Sequence, residues 1–326
     1  MMSDNLSNFI KQMNELKDVL EPQPFGNGGK KIAKPSMVKK VATIIGVKTT
    51  ASRFIPVSHE GYSTDTYIDR VDIFGVNRAE FIGRKQKGIE RRAHMTMFRE
   101  LLENMSGQKW EDVFKKYFGD TCIIPDDLCL ACWNCSLFGG LEAGKGAVFS
   151  RIRYFDTYSI EPAEFAVAME GSEEGMAIGN TVSENLSAKR GSDSYHQYEY
   201  VKAGTHFPFI AIIENPTLLD VIGYIRAVRI ADNQGYGKYS ANHGKFDTQF
   251  LAVSTGYPRF SVLDMIEWAG EDYSIKNVLD MFNGKKPGVE FDTVTDVPIA
   301  LYGDEIDEMA QLLSREFKMY FEMLKG

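Results

Sequence analysis

Phe207-Pro208-Phe209-Ile210-Ala211-Ile212-Ile213-Glu214, running through Asn215-Pro216-Thr217 into Leu218-Leu219-Asp220-Val221-Ile222-Gly223-Tyr224-Ile225-Arg226-Ala227-Val228-Arg229-Ile230, decides the fold. The first eight residues read as a buried strand, a short apolar run far below the length that spans a bilayer. Pro216 and Thr217 supply helix-start chemistry for the apolar run beginning at Leu218. Downstream, Thr248–Thr255 (TQFLAVST) reads as another strand. Upstream, Val148–Ile160 alternates well enough for one long strand, and Gly171–Thr205, rich in Gly, Ser, Glu and Asn, reads as a long exposed insertion. Ser36–Val47, extending toward Val57, and Thr66–Val76 are two further strands. Arg91–Phe118 has helical spacing broken near Ser106-Gly107. Strand, insertion, strand, helix, strand predicts an α+β fold with a ferredoxin-like core and its helices on one side.

The ends of the chain are amphipathic. Leu6, Phe9, Ile10, Met13, Leu16, Val19 and Leu20 form one stripe without a signal-peptide pattern. Ile306–Leu324 carries Met309, Leu312, Leu313, Phe317, Tyr320 and Phe321 on one face. Reduced thiols and the lack of an export signal point to the cytoplasm, and no stretch points to a membrane. Net charge is −8, yet Ser261–Gly326 alone holds 14 acidic and 6 basic residues, which accounts for all of it. The rest is neutral with its cations grouped: Lys30, Lys31, Lys34, Lys39, Lys40, Lys48 and Arg53 share an acid-free run. Arg84, Lys85, Lys87, Arg91 and Arg92 form a second group, and Lys145, Arg151 and Arg153 a third. Clustered cations of this kind suit a polyanion despite the overall sign.

All four cysteines, Cys122, Cys129, Cys132 and Cys135, fall in one short loop. That clustering is poorly explained by packing and points to one thiolate-bound metal ion, structural zinc above all. A bacterial ferredoxin run would place a fourth cysteine at position 139 followed by Pro, but Gly139 and Gly140 stand there. An iron–sulfur protein is therefore a weaker reading, with Cys122 as the completing ligand. Tight spacing can crowd a tetrahedron, which makes His94 a substitute ligand to consider. A closed four-ligand zinc site folds a loop and does not catalyse. Gly139-x4-Gly144-Lys145 lacks the Ser or Thr of a P-loop and precedes a strand, so an NTPase is excluded. The histidines show no paired metal spacing, and no nucleophile–base arrangement stands out.

The stretch Phe81-Ile82-Gly83-Arg84-Lys85-Gln86-Lys87-Gly88-Ile89-Glu90-Arg91-Arg92 resembles the basic segment of type I-D CRISPR backbone subunits, of the Cas seven family in the RAMP superfamily. Val41–Gly61 resembles that family's first core strand, Cys129–Gly139 (CLACWNCSLFG) its cysteine-rich insert, and Gly179–Glu184 its Gly-Asn-x-Val-x-Glu loop. Where relatives carry Arg-Thr-x-Arg-Tyr-Gly, this chain has Arg229–Gly237, from which Arg229 and Tyr236 carry over. The resemblance implies an RRM-type core with zinc-binding, helical and lid or thumb insertions. The resemblance covers about Val41–Thr255, and the chain is expected to divide into an N-terminal helix and linker (1–35), a core (36–260) interrupted at 77–147 and 161–205, and an acidic helical segment (261–326) that lies outside the match.

It also implies a guide-RNA-binding backbone subunit that stacks head to tail with copies of itself. Target DNA and other CRISPR effector subunits would be the further partners. The expected RNA contacts are Lys48, Arg53, Arg84, Lys85, Lys87, Arg91, Arg92, Lys145, Arg151, Arg153, Arg229 and Tyr236. Some CRISPR backbone proteins cut the target with a loop aspartate, so a metal-dependent nuclease using Asp65 or Asp69 is the second expectation.

Overall fold

The computed structural model describes residues 3–25, 30–34, 40–56, 66–144, 146–170, 198–238, 240–283, 287–293 and 296–326. Asp65, Lys145 and the Gly179–Glu184 loop lie outside them. In the first half the elements used below are α1 (Asp4–Gln12), β1 (Val41–Thr50), β2 (Arg70–Ile73), β3 (Val76–Phe81), α2 (Gly83–Ser106), α3 (Trp110–Phe118) and α4 (Trp133–Phe138). Then come β4 (Ile152–Tyr154), β5 (Thr157–Pro162), β6 (His206–Glu214), α5 (Leu218–Gln234), β7 (Phe246–Ser254), α6 (Val262–Trp268), α7 (Ile275–Asn283), β8 (Ala300–Leu301), α8 (Asp304–Ala310) and α9 (Leu313–Lys325).

The opening stretch forms β6 and α5, as its pattern predicts. Pro208 is tolerated inside β6 because the ladder with β4 is confined to Ala211–Ile213 on that side. Thr217 caps α5, its hydroxyl accepting from the Asp220 amide while the Asp220 carboxylate accepts from the Thr217 amide, a complete capping box. The main sheet runs β8-β7-β1-β6-β4 with every neighbouring pair antiparallel. Connectivity is β1, helix α2, β4, then β6, helix α5, β7, with α2 packed along α5. Small sheets surround this core, making the chain a mixed α+β protein.

Alternation along the central strands divides their side chains between two apolar layers. Ala42, Ile44, Ala211 and Ile213 pack beneath α1, α5 and α8. Val41, Ile45, Val47, Ile210 and Ile212 pack against Val262, Met265 and Ile266 of α6 and Val278 and Phe282 of α7. The helices are therefore not confined to one side. Apolar periodicity finds a helix but not the face it covers, and the net acidity of this segment conceals an apolar stripe.

Three predicted boundaries shift. The single strand expected over Val148–Ile160 is β4 and β5, with Phe155-Asp156 at the break. The strand over Thr66–Val76 is the β2–β3 hairpin, turning at Phe74-Gly75 with positive φ at both. Helix α2 starts at Gly83, before Arg91, because its first inward positions are Gly83, Gln86 and Glu90 and carry no apolar period.

Candidate nucleic-acid interface and metal centre

The cysteine loop packs inside an apolar cluster built by α2, α3 and α9, in which Phe98, Phe114, Trp133 and Phe317 are buried. Cys132 is the cap of α4 and its sulfur accepts from the Cys135 amide at 3.5 Å. Leu130 has φ 59°, which turns the chain between Cys129 and Cys132. Trp133 reaches α5 because residue 223 is glycine: a Cβ there would stand 2.4 Å from the indole. The indole N–H donates to Asp220 at 2.9 Å.

Four buried sulfurs converge, with all ligand atoms within 4.8 Å of one another. Cys122 Sγ lies 3.5 Å from Cys135 Sγ and 4.0 Å from Cys132 Sγ. A tetrahedral ion with metal–sulfur bonds of about 2.3 Å needs sulfurs about 3.8 Å apart, so the donor set fits one closed tetrathiolate site. Hydrogen bonds from the other three thiols hold Cys122 far below the usual thiol range, while burial pushes Cys129 and Cys132 up. His94 is not part of this group. It is buried against Trp133, with its Nδ1 3.1 Å from Asn134 Nδ2, and burial lowers its pKa to about 3. Arg99 donates to the Cys122 carbonyl and stacks on Trp110 at 4.0 Å.

Beside this centre, α2 presents its cations. Arg84, Lys85 and Arg92 are exposed, and Lys87 and Arg91 are half-buried. Lys87 Nζ donates to Ser150 Oγ at 2.8 Å, and that hydroxyl contacts the Ile152 carbonyl at 2.7 Å. Arg153 is exposed on β4 and paired with Glu214. Phe149 is 93% exposed and Phe155 45%, one on each side of β4. Cations flanked by exposed aromatic rings suit single-stranded nucleic acid, whose phosphates need charge and whose bases stack. Sequence reading misses both phenylalanines, since an apolar residue in an alternating stretch reads as core. The exposed Arg153 two residues from Phe155 is the one available clue.

Burial, then the neighbouring Arg91, lowers the Lys87 pKa to about 8. The ammonium is thus less stable in the fold than in the unfolded chain, so this group's contribution to stability rises with pH between about 8 and its ordinary 10.5. Polyanion binding needs the proton and has the opposite dependence. Affinity for RNA is expected to fall as pH rises from 7 to 9, and Lys87→Arg to abolish most of that fall. An identical pH profile in the variant would remove Lys87 from the contact set.

Three of the expected RNA contacts, Lys48, Tyr236 and Arg151, are buried with partners inside the protein. Lys48 is fully buried, donating to Glu90 Oε1 at 2.9 Å and to Tyr236 Oη at 3.1 Å. Tyr236 is also buried and donates to the same carboxylate at 2.9 Å. Arg151 makes a two-pronged pair with Asp220 at 2.9 and 3.0 Å. Burial alone would raise the Asp220 carboxyl, but Arg151 and the bonds from Thr217 and Trp133 outweigh it and hold the pKa below the ordinary value. These residues position α2, α4 and α5, and a cation count along the sequence cannot separate them from surface charge.

Arg53 stacks over Tyr200 at 4.6 Å, and Arg229 pairs with Asp307 at 2.7 Å, both away from α2 in sequence. Asp69 accepts the Glu80 amide through its backbone carbonyl. Among the described residues, the four cysteines are the group whose ligand atoms converge closely enough for a metal ion. No helix among these residues is long and apolar enough to cross a membrane.

Fold and sites together define an α+β protein with a buried four-cysteine cluster beside a cationic helix. That class has a family: residues 39–296 match the model of the Csc2 Crispr family, and the chain belongs to it. Among solved structures, Csc2 of Thermofilum pendens is similar over 99% of this chain and 97% of its own, at 13% identity and a TM-score of 0.55. A chain of a CRISPR RNA-guided surveillance complex matches 83% of this chain and 98% of its own at 13% identity, TM-score 0.46. A chain of a type IV-B CRISPR complex matches 64% of this chain and 90% of its own at 14% identity, TM-score 0.37. No curated protein matches.

Proposed function

We propose that this chain is a non-enzymatic, guide-RNA-binding backbone subunit of a type I-D CRISPR interference complex, with structural zinc in its tetrathiolate site. Membership of the Csc2 Crispr family carries the reading. The β1–α2–β4–β6–α5–β7 connectivity supports an RRM-type core, because a split β-α-β pair gives this strand order. The face that RRMs use for stacking is aliphatic here and covered by α6 and α7, so the RNA is assigned to the α2–β4 side. Lys and Arg there neutralise phosphates without reading bases, which suits a protein that must accept any guide. Copies stack head to tail along the guide beside other effector subunits, in the cytoplasm. Base pairing with target DNA supplies sequence recognition.

Changing Arg84, Lys85 and Arg92 together to alanine is expected to weaken RNA binding roughly 10- to 100-fold at physiological salt. The loss should be alike for unrelated sequences, and the salt dependence should flatten by about 2 log units per log unit of salt. Unchanged affinity in the triple variant rejects this face. The nuclease alternative rests on Asp69 or Asp65; cleavage of single-stranded target by the assembled complex, lost in Asp69→Asn or Asp65→Asn, would establish it instead.

A further inference from the structure

We infer that Arg91 belongs to both sites at once: it is an outer cation of the thiolate centre and, through the rest of its guanidinium, a phosphate contact of α2, so metal and RNA affinities rise together. The RNA half of this rests on the function proposed above.

Asn134, between Cys132 and Cys135, clamps Arg91 reciprocally. Its Oδ1 accepts from Arg91 Nε at 3.1 Å, and its Nδ2 donates to the Arg91 carbonyl at 3.0 Å. Arg91 Nη2 then lies 4.0 Å from Cys135 Sγ. Gly140 lies against this arm, close enough that a Cβ there would stand 3.6 Å from Nη2. Asn134 and Cys135 occupy only part of a fork that has five N–H donors. Arg91 is half-buried, one helical turn from Lys87 and two from Arg84 on the same stripe.

The electrostatics favour sharing over competition. Four thiolates around a divalent ion leave two negative charges in a buried site, which needs nearby cations. Arg91 and Arg99 are placed to supply them, one at Cys135 and one at the Cys122 carbonyl. A charged, filled centre fixes the Arg91 plane, and a fixed plane presents its outer donors to phosphate without further ordering. Coupling of this kind is reciprocal: whatever factor the metal adds to RNA affinity, RNA adds to metal affinity. Its place in a basic run marks Arg91 as an RNA contact; its second role needs the fold, because 44 residues separate it from Cys135.

The test is zinc affinity of the full chain by chelator competition, with and without saturating mixed-sequence single-stranded RNA. Wild type is expected to bind zinc about five- to fiftyfold more tightly with RNA present, within the usual range of coupling, roughly 5- to 150-fold. Arg91→Ala should weaken zinc about 10- to 100-fold and abolish the RNA effect. Arg92→Ala, one residue on and exposed, should weaken RNA binding yet leave zinc affinity alone. Arg91→Lys, which keeps charge without the fork, should retain most RNA affinity but not zinc affinity. If Arg91→Ala does not fold, Asn134→Leu carries the same expectation. Zinc affinity of Arg91→Ala or Asn134→Leu within twofold of wild type overturns the inference, as does a wild-type zinc affinity indifferent to bound RNA. Failure of wild type to bind RNA at all rejects the proposed function, and the zinc arm then decides Arg91's place in the metal centre.

Discussion

Cys132→Ser, or stripping the metal with a chelator, is expected to lower the thermal midpoint by roughly 10 °C or more, since a structural zinc site contributes folding energy directly. Cys132 caps α4 and stands in an apolar cluster shared with α2, α3 and α9. Without the ion, burial resists deprotonation of Cys129 and Cys132, so the four sulfurs lack the charge that would hold an ion-bound arrangement. Loss should be graded. Hydrogen exchange should quicken first in α4 and the Cys122–Cys135 loop, while β1 and β6, held by ladders along their length, stay protected. Melting and exchange unaffected by chelation would show that the cysteines are packing residues and that no ion staples the insert.

Lys48→Met is expected to cost about 3–5 kcal/mol of fold stability, the usual cost of breaking a buried ion pair from one side. It leaves Glu90 buried with two tyrosine hydroxyls, from Tyr236 at 2.9 Å and Tyr154 at 2.6 Å, and no ion-pair partner among the described residues. The network ties β1, α2, β4 and the loop after α5 together, so the loss should appear as global destabilisation in urea. Lys48→Met with Glu90→Leu should recover part of it, because an apolar pair of similar volume removes the stranded charge. RNA binding by the folded variant should keep its wild-type salt slope. A slope reduced as much as in Arg84→Ala would return Lys48 to the RNA face.

The elements legible in the sequence are those whose chemistry is local. The run into Ile213, the Pro216-Thr217 helix start and the cysteine spacing announce β6, α5 and a thiolate site. What stays hidden depends on partners distant in sequence. Lys48 and Arg84 look alike in the chain, yet one meets Glu90 in the interior and the other is solvent-exposed. Arg151 and Arg153 group naturally as cations of one strand, and strand alternation, which puts both on the same parity, gives no reason to separate them. Asp220, 69 residues away, is the charged partner toward which Arg151 turns inward. Phe149 shows the converse, an apolar residue that no core element claims.

The two layers of helices over the central sheet have a consequence best put as information. Telling four bases apart at one position requires groups that respond differently to each. A sheet whose central strands are enclosed by apolar clusters on both faces offers none. Guanidinium and ammonium groups on one helix respond to phosphates, which are the same at every position, and an exposed ring stacks on any base. Such a surface stores no message of its own. On the function proposed above, its contribution is to hold a written strand in a fixed frame and leave every letter free to be read by another strand.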